Sequence, residues 1–283
     1  MNESVDSLHA LLEQHAPWVG LTGAGISSAS GIPTYRDHHG RWLGSQPIQH
    51  QEFVEQSAKR QRYWARSILG WPRVHVAQPN QTHYDLAALE SAGIISGLIT
   101  QNVDRLHQQA GAQNAIDLHG RLDQVRCLSC GHTEARSHIQ NWLEQHNILP
   151  SLTSVTLLPD GDADLPAAFI DDFQSPQCEA CGGVLMPDVV FFGGTVPADR
   201  VQACYRMIDK SEGLVVIGSS LSVYSGFRFC RYAIQQGKPL IILNVGQTRA
   251  DDLCLRKFDD DPFSLLSHYV AQLDPKTSER QHV

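Results

Sequence analysis

The chain has no apolar run near the roughly 20 residues that a membrane-spanning helix needs, so a helical membrane protein is not expected. Positive charge is scarce: 22 Lys and Arg stand against 30 Asp and Glu, for a formal net charge of -8. A general nucleic-acid binder needs the opposite balance to neutralise phosphates, so no nucleic-acid partner is expected. The opening stretch MNESVDSLHALLEQHAP has no basic segment followed by an apolar core, and it is too acidic for a mitochondrial transit peptide. A cytoplasmic protein is therefore expected. Cysteine is sparse and odd in number, seven in 283 residues, which favours free thiols and metal over a disulfide framework. Internal repeats and low-complexity tracts are absent.

What is present is an alternation of short apolar runs and polar helical stretches. PWVGLT (17–22), IISGLIT (94–100), LVVIGSS (214–220) and PLIILNV (239–245) read as buried parallel strands. THYDLAALESAG (82–93) reads as an amphipathic helix with Gly93 as its C-cap. Strands alternating with helices predict an α/β fold, a doubly wound parallel sheet of Rossmann type. Two segments break the rhythm. Residues 41–77 look helical, and residues 123–186 carry both CxxC pairs and an acidic stretch. The expected division is a core of 1–40, 78–122 and 187–283, a helical insert at 41–77, and a metal-binding insert with an acidic loop at 123–186.

Five motifs carry chemistry. GAGISSASGIPTYRD (23–37) follows a predicted strand and precedes a helix expected to begin near Ser27. Gly23 and Gly25 suit a tight turn, Ala24 lies between them, and a helix N-terminus offers N–H groups to a pyrophosphate. Ser28 stands where the GxGxxG fingerprint wants its third glycine, which counts against an ordinary dehydrogenase. A strand–turn–helix without a ligand explains the short pattern equally well. Arg36 adds charge for phosphate. TQNVDRLH (100–107) follows the second strand, placing Gln101, Asn102 and Asp104 where an open α/β sheet binds ligands; Asn and Asp are also common helix caps. In DLHG (117–120), His119 at a strand end can act as a general base, although it is one of fourteen histidines. Cys127-x-x-Cys130 with Cys178-x-x-Cys181 makes a four-thiolate, closed tetrahedral site for structural zinc. Finally, PDVVFFGG (187–194), GSSLSVYSG (218–226) and NVG (244–246) fall at strand ends. Gly218, Ser219 and Ser220 can line a diphosphate or adenosine pocket, and Val189, Val190, Phe191 and Phe192 an apolar wall. Core and turn readings remain open for each of these.

In this order, GAGISxxSGIPxYR, TQNVDxLH, LHG, the paired CxxC, PDVVFFG and GSSL resemble the sirtuin family, from about Trp18 to Leu266. PIQHQEF (47–53), QRYWARSILGWP (61–72), LPDGD (158–162) and SVYSGFRF (222–229) resemble its class II branch, which includes the mitochondrial lipoamidase-type sirtuin of animals; without a transit peptide, a bacterial member is expected. The resemblance implies an inverted Rossmann core and NAD-dependent removal of acyl groups from protein lysines. The acyl oxygen attacks C1′ of the nicotinamide ribose and nicotinamide leaves. His119 then activates a ribose hydroxyl, and water completes the reaction to give free lysine and O-acyl-ADP-ribose. By motif matching, Asn102 orients ribose and water, Asp104 and Ile32 hold the carboxamide, and Gln101 contacts ribose. Ala24, Arg36 and Ser219 contact phosphates. Gly23, Gly25, Ser27, Tyr35, Gly218, Ser220, Asn244, Val245 and Gly246 complete the NAD site. The acyl-lysine peptide adds as a strand between Val189, Val190, Phe191, Phe192 and Gly193 on one side and Val223 and Tyr224 on the other. NAD as co-substrate, structural zinc, acyl-lysine proteins as partners and a monomeric chain complete the expectation.

Two departures matter. The segment after Asp37 reads HHGRWLGSQ, without the Tyr-x-x-Arg pair of succinyl-removing sirtuins. FDDDP stands where many members carry a cysteine near the adenine site. The competing functions are a protein mono-ADP-ribosyltransferase and a non-enzymatic NAD-sensing module.

Overall fold

A computed structural model describes residues 3–34, 47–148 and 167–273. In chain order the elements begin α1 (Glu3–Gln14), β1 (Trp18–Thr22), a 3-10 turn (Ala24–Ser30), α2 (His50–Glu55), α3 (Ser57–Val76) and α4 (Gln81–Ser91). There follow β2 (Ile95–Thr100), α5 (Leu106–Gln109), β3 (Ala115–Asp117), β4 (Gly120–Cys127), β5 (Thr133–Ala135), α6 (Arg136–His146) and α7 (Ala167–Asp171). The chain continues through β6 (Leu185–Val189), α8 (Ala198–Asp209), β7 (Gly213–Ile217), α9 (Tyr224–Gln235), β8 (Leu240–Leu243), β9 (Arg256–Phe258) and α10 (Pro262–Leu273).

Six parallel strands form one sheet in the order β3-β2-β1-β7-β8-β9. Successive side chains of a strand point to opposite faces, and both faces here are apolar. Trp18, Val215, Ile217, Ile241 and Leu243 pack on one face with Leu8, Leu86 and Leu266 from α1, α4 and α10. Val19, Leu21, Leu214, Val216 and Ile242 pack on the other with Ile208 and Phe229 from α8 and α9. Each fully buried aliphatic side chain contributes about 1.5–3 kcal/mol. This double burial explains why the strands read as unbroken apolar runs.

β4, β5 and β6 form a second, antiparallel sheet in the order β5-β4-β6. It shares a core with α2, α3, α6 and α7 through Phe53, Trp64, Ile68, Val125, Leu143, Ile170 and Leu185, with Phe173 just beyond α7. A smaller cluster of Ile32, Trp71, Val74, Leu106 and Leu122 seals the seam between the two sheets. There the Trp71 indole N–H donates to the Leu122 carbonyl at 3.0 Å.

The expected helix near Ser27 is not an α-helix. Residues Ala24–Ser30 wind as a 3-10 turn that stops at Gly31, whose φ of 81° lies in the left-handed region. Such a short, tight turn gives little macrodipole to attract a pyrophosphate. The predicted strands LVVIGSS and PLIILNV also end earlier than expected, at Ile217 and Leu243. Gly218 leaves the sheet with a φ of 60°. The second sheet reaches beyond 123–186, because β4 begins at Gly120 and β6 runs to Val189.

Candidate active site and metal centre

The strand order reverses at β1, which pairs with β2 on one side and β7 on the other. A crevice opens at such a switch point beyond the carboxyl ends of the strands. Four of the five predicted motifs begin or lie at those ends: 23–34 after β1, 101–105 after β2, Leu118 and His119 after β3, and 218–223 and 244–246 after β7 and β8. Tyr35 and Arg36 fall outside the described residues.

The turns after β1 and β7 lie against each other. The Gly25 N–H donates to the Gly218 carbonyl at 2.9 Å, and a Cβ on Gly25 would sit 2.8 Å from that same oxygen. A Cβ on Gly23 would sit 2.7 Å from the Cβ of Ser219. Both glycines are therefore required by turn-to-turn contact.

The segment after β2 ties these turns together. The Gln101 amide donates to Ser219 Oγ at 2.8 Å and to the Thr22 carbonyl at 3.2 Å. Asn102 is buried, and its Nδ2 donates to the Gly23 carbonyl and to Ser27 Oγ, both at 3.1 Å. Ser27 in turn donates to Asp104 Oδ2 at 2.7 Å. Asp104 Oδ1 accepts from the Leu106 N–H at 3.0 Å, so the helix-cap reading of Asp104 also holds. Burial raises the Asp104 carboxyl above its ordinary value, against the lowering effect of these bonds. The next residue, Arg105, has a φ of 68°, uncommon for a residue with a Cβ, and is ion-paired with Asp117.

His119 emerges just beyond β3 and is strapped to the second sheet. Its carbonyl accepts from the Val190 N–H at 2.7 Å. Gly120 has a φ of 86°, and a Cβ there would lie 2.0 Å from the Asp188 carbonyl oxygen. The glycine of LHG thus lets β4 meet the PDVVF strand, which brings two separate motifs together. The His119 Nδ1 lies 2.9 Å from the Gln101 carbonyl oxygen, and Nε2 lies 2.7 Å from Ser225 Oγ. Burial lowers the imidazole pKa, the bond to Gln101 opposes this, and the charge of Arg200 adds to the lowering. Arg200 itself reaches the Leu118 carbonyl at 3.3 Å. The ring is therefore neutral near pH 7, as a base must be.

The apolar residues divide. Val190 packs against the core face under the β2–β3 edge. Phe191 is buried in an aromatic cluster with Phe53 and Tyr63, at centroid distances of 5.1 and 5.3 Å. Phe192 pairs with Gln49 as an isolated parallel bridge, and Gly193 follows it with a φ of 74°. Val189 and Ile32 lie at the seam. Val223 and Tyr224 are exposed, as is Val245, whereas Asn244 is buried. Ser220 is half-buried and bonds Ser222, and Gly246 gives its carbonyl to Lys257. Ser225, Gly226 and Arg200 were not singled out from the sequence. For Ser225 the only signal was its place in VYSG, two residues beyond the exposed Val223.

The four predicted cysteines converge, with all sulfurs within 4.8 Å of one another. Cys127 and Cys181 sulfurs are 3.5 Å apart, and those of Cys130 and Cys178 are 3.8 Å apart. Zn–S bonds of about 2.3 Å place tetrahedral sulfurs about 3.8 Å apart, so the cluster fits zinc. With no metal between them the thiols cannot all ionise together: backbone bonding from Cys130 lowers Cys127, whereas burial raises Cys178 and, against backbone bonding from Gly183, the neighbouring sulfurs raise Cys181. With four thiolates no coordination position remains for a substrate.

Known proteins resemble this chain in sequence and fold. The Sir2 family pattern matches residues 23–225. A protein of Xanthomonas campestris pv. campestris (strain 8004) named NAD-dependent protein deacetylase is 48% identical over 269 residues, covering 95% of this chain and 92% of its own. A solved Sir2 complex with a p53 peptide and NAD+ aligns with a TM-score of 0.75 and 29% identity, covering 95% of this chain and 97% of its own. A second, a Sir2 variant with deacetylated p53 peptide and 3′-O-acetyl-ADP-ribose, aligns with a TM-score of 0.75 and 28% identity, covering 94% and 97%. The chain belongs to the Sir2 family, the sirtuins.

Proposed function

We infer that this protein is an NAD-dependent protein-lysine deacylase. The observation that carries the reading is a neutral, half-buried His119 at the switch-point crevice, tied through Gln101 to the turns that follow β1 and β7. Family membership supplies the reaction, and the relatives' deacetylase names and their peptide and NAD complexes support it. NAD supplies an electrophilic C1′, from which the acyl-lysine oxygen displaces nicotinamide. His119 then accepts the proton of a ribose hydroxyl at Nε2, while Nδ1–H stays on the Gln101 carbonyl.

Asn102 and Gln101 orient the ribose, and Asp104 with Ile32 holds the carboxamide. The turn residues Gly23, Ala24, Gly25 and Ser27 cradle the dinucleotide together with Gly218, Ser219 and Ser220. Arg36 and Tyr35 add to the same site, and Asn244, Val245 and Gly246 border the adenosine half. Zinc, held by Cys127, Cys130, Cys178 and Cys181, stabilises the second sheet and takes no part in the chemistry. Acyl-lysine peptide adds between Phe192 and the exposed Val223–Tyr224 segment. On the class II resemblance of QRYWARSILGWP and SVYSGFRF, we assign the acyl preference to long-chain, lipoyl or branched groups. We also assign the protein to the cytoplasm as a monomer.

The test is one lysine peptide carrying acetyl, succinyl, glutaryl, hydroxymethylglutaryl, lipoyl or myristoyl groups, incubated with NAD and followed by mass spectrometry. Wild type is expected to remove at least one acyl group, and His119→Tyr none. NAD cleavage with every acyl group intact would move the assignment to ADP-ribosyl transfer.

A further inference from the structure

A carbonyl oxygen carries no proton, so His119 Nδ1, 2.9 Å from the Gln101 carbonyl, must be the protonated nitrogen of the neutral ring. The lone pair is then on Nε2, and the group facing it at 2.7 Å is the Ser225 hydroxyl, which must donate. One nitrogen is anchored by backbone after β2, and the other by a side chain in the first turn of α9.

The two anchors are built as a unit. Gly226, next to Ser225, lies so close to Gln101 that a Cβ would come within 2.5 Å of its Oε1. Gln101 therefore grips His119 through its carbonyl, Ser219 through its amide, and α9 through direct packing. A ring held only at Nδ1 can still swing about that bond, and small misplacements of a base cost rate steeply. A second bond at Nε2 removes this freedom.

We propose that Ser225 is a positioning residue for His119: its hydroxyl fixes the imidazole with the Nε2 lone pair turned into the crevice and yields that lone pair to the ribose hydroxyl when ligand binds. This rests on the deacylase reading. Ser225 touches His119, not the reacting atoms, so its effect is confined to the step in which His119 acts. Nicotinamide departs before that step.

The experiment compares wild type, Ser225→Ala and Ser225→Thr in two assays with NAD and the lysine peptide whose acyl group the wild type removes fastest in the acyl panel. One follows deacylation; the other follows exchange of labelled nicotinamide into NAD. Ser225→Ala is expected to lower deacylation by about 5- to 20-fold, within the range that general-base positioning commands. Exchange should stay within about twofold, and Ser225→Thr, which restores the hydroxyl, should recover most of the loss. The 15N resonance of His119 Nε2 should move toward that of a free imine nitrogen in Ser225→Ala only. An active wild type with an unimpaired Ser225→Ala would overturn the role of Ser225 alone. So would parallel loss of both activities without rescue by Thr, which is the mark of a merely structural residue. A wild type that leaves every acyl-lysine of the panel intact and performs no exchange would overturn the deacylase reading together with this role.

Discussion

His119 is defined by what its two nitrogens face, and its neighbour Gly120 by what it must avoid. A side chain at position 120 would collide with the Asp188 carbonyl at 2.0 Å while holding a φ of 86°. Gly120→Ala should therefore cost more than about 2 kcal/mol of stability, and any folded fraction should have lost deacylase activity because His119 moves. Denaturant unfolding and the acyl assay check the two halves separately; an unaffected midpoint would contradict the packing account. The residue identities Gln101, Asn102, Asp104 and His119 were legible in the sequence because strand ends in an open α/β sheet converge on one crevice. Ser225 and Arg200 were not. Their relevance depends on two segments distant in sequence meeting His119, and no local spacing records that.

At the scale of elements, four of the six parallel strands, β1, β2, β7 and β8, were readable to within a residue at their starts, since burial on both faces leaves an unbroken apolar run; the three-residue edge strands β3 and β9 carry no such run. Their ends were misjudged where Gly218 and Asn244 turn the chain out of the sheet. The turn after β1 was read as a helix because GISSAS has no strong breaker before Gly31. Its conformation is set instead by contact with the β7 turn and by the Asn80 amide, which donates to the Ile26 carbonyl and to Ser30 Oγ at 2.7 and 2.9 Å. The paired CxxC was legible because thiolate geometry is local to each pair. Removal of zinc with a strong chelator, or Cys178→Ser, should lower the melting temperature by many degrees, and elemental analysis should find one zinc per chain before treatment and none after. Chelated protein that keeps its melting temperature would contradict a structural role for the metal.

At the scale of the whole molecule, the core carries an acid-sensitive element beneath the site. Burial drives His83 down to about 4 and His107 to about 3, with His83 adding to the latter. The rings sit 5.1 Å apart, and His107 Nε2 meets Thr22 Oγ1 at 2.9 Å at the end of β1. His83 Nε2 and His107 Nδ1 have no partner among the described residues. Because both folded values lie below the ordinary 6.5, the unfolded chain takes up protons first as pH falls. Stability is thus fully present above about pH 6.5 and is lost on the way down toward 4, by up to about 1.4 kcal/mol per pH unit for each ring. Melting temperatures at pH 7.5 and 5 should show this fall, and His83→Asn should reduce it; an undiminished fall would assign the sensitivity to other groups.

The two sheets meet along a seam at which β3, β4 and β6 deliver His119 to the crevice. The most direct test of the proposed activity is stoichiometric. An acyl-lysine peptide with NAD should yield nicotinamide, free lysine and O-acyl-ADP-ribose in equal amounts with wild-type protein, and none of the three with His119→Tyr. Nicotinamide released without free lysine, with ADP-ribose retained on protein, would contradict the deacylase account and leave the fold and the zinc site standing.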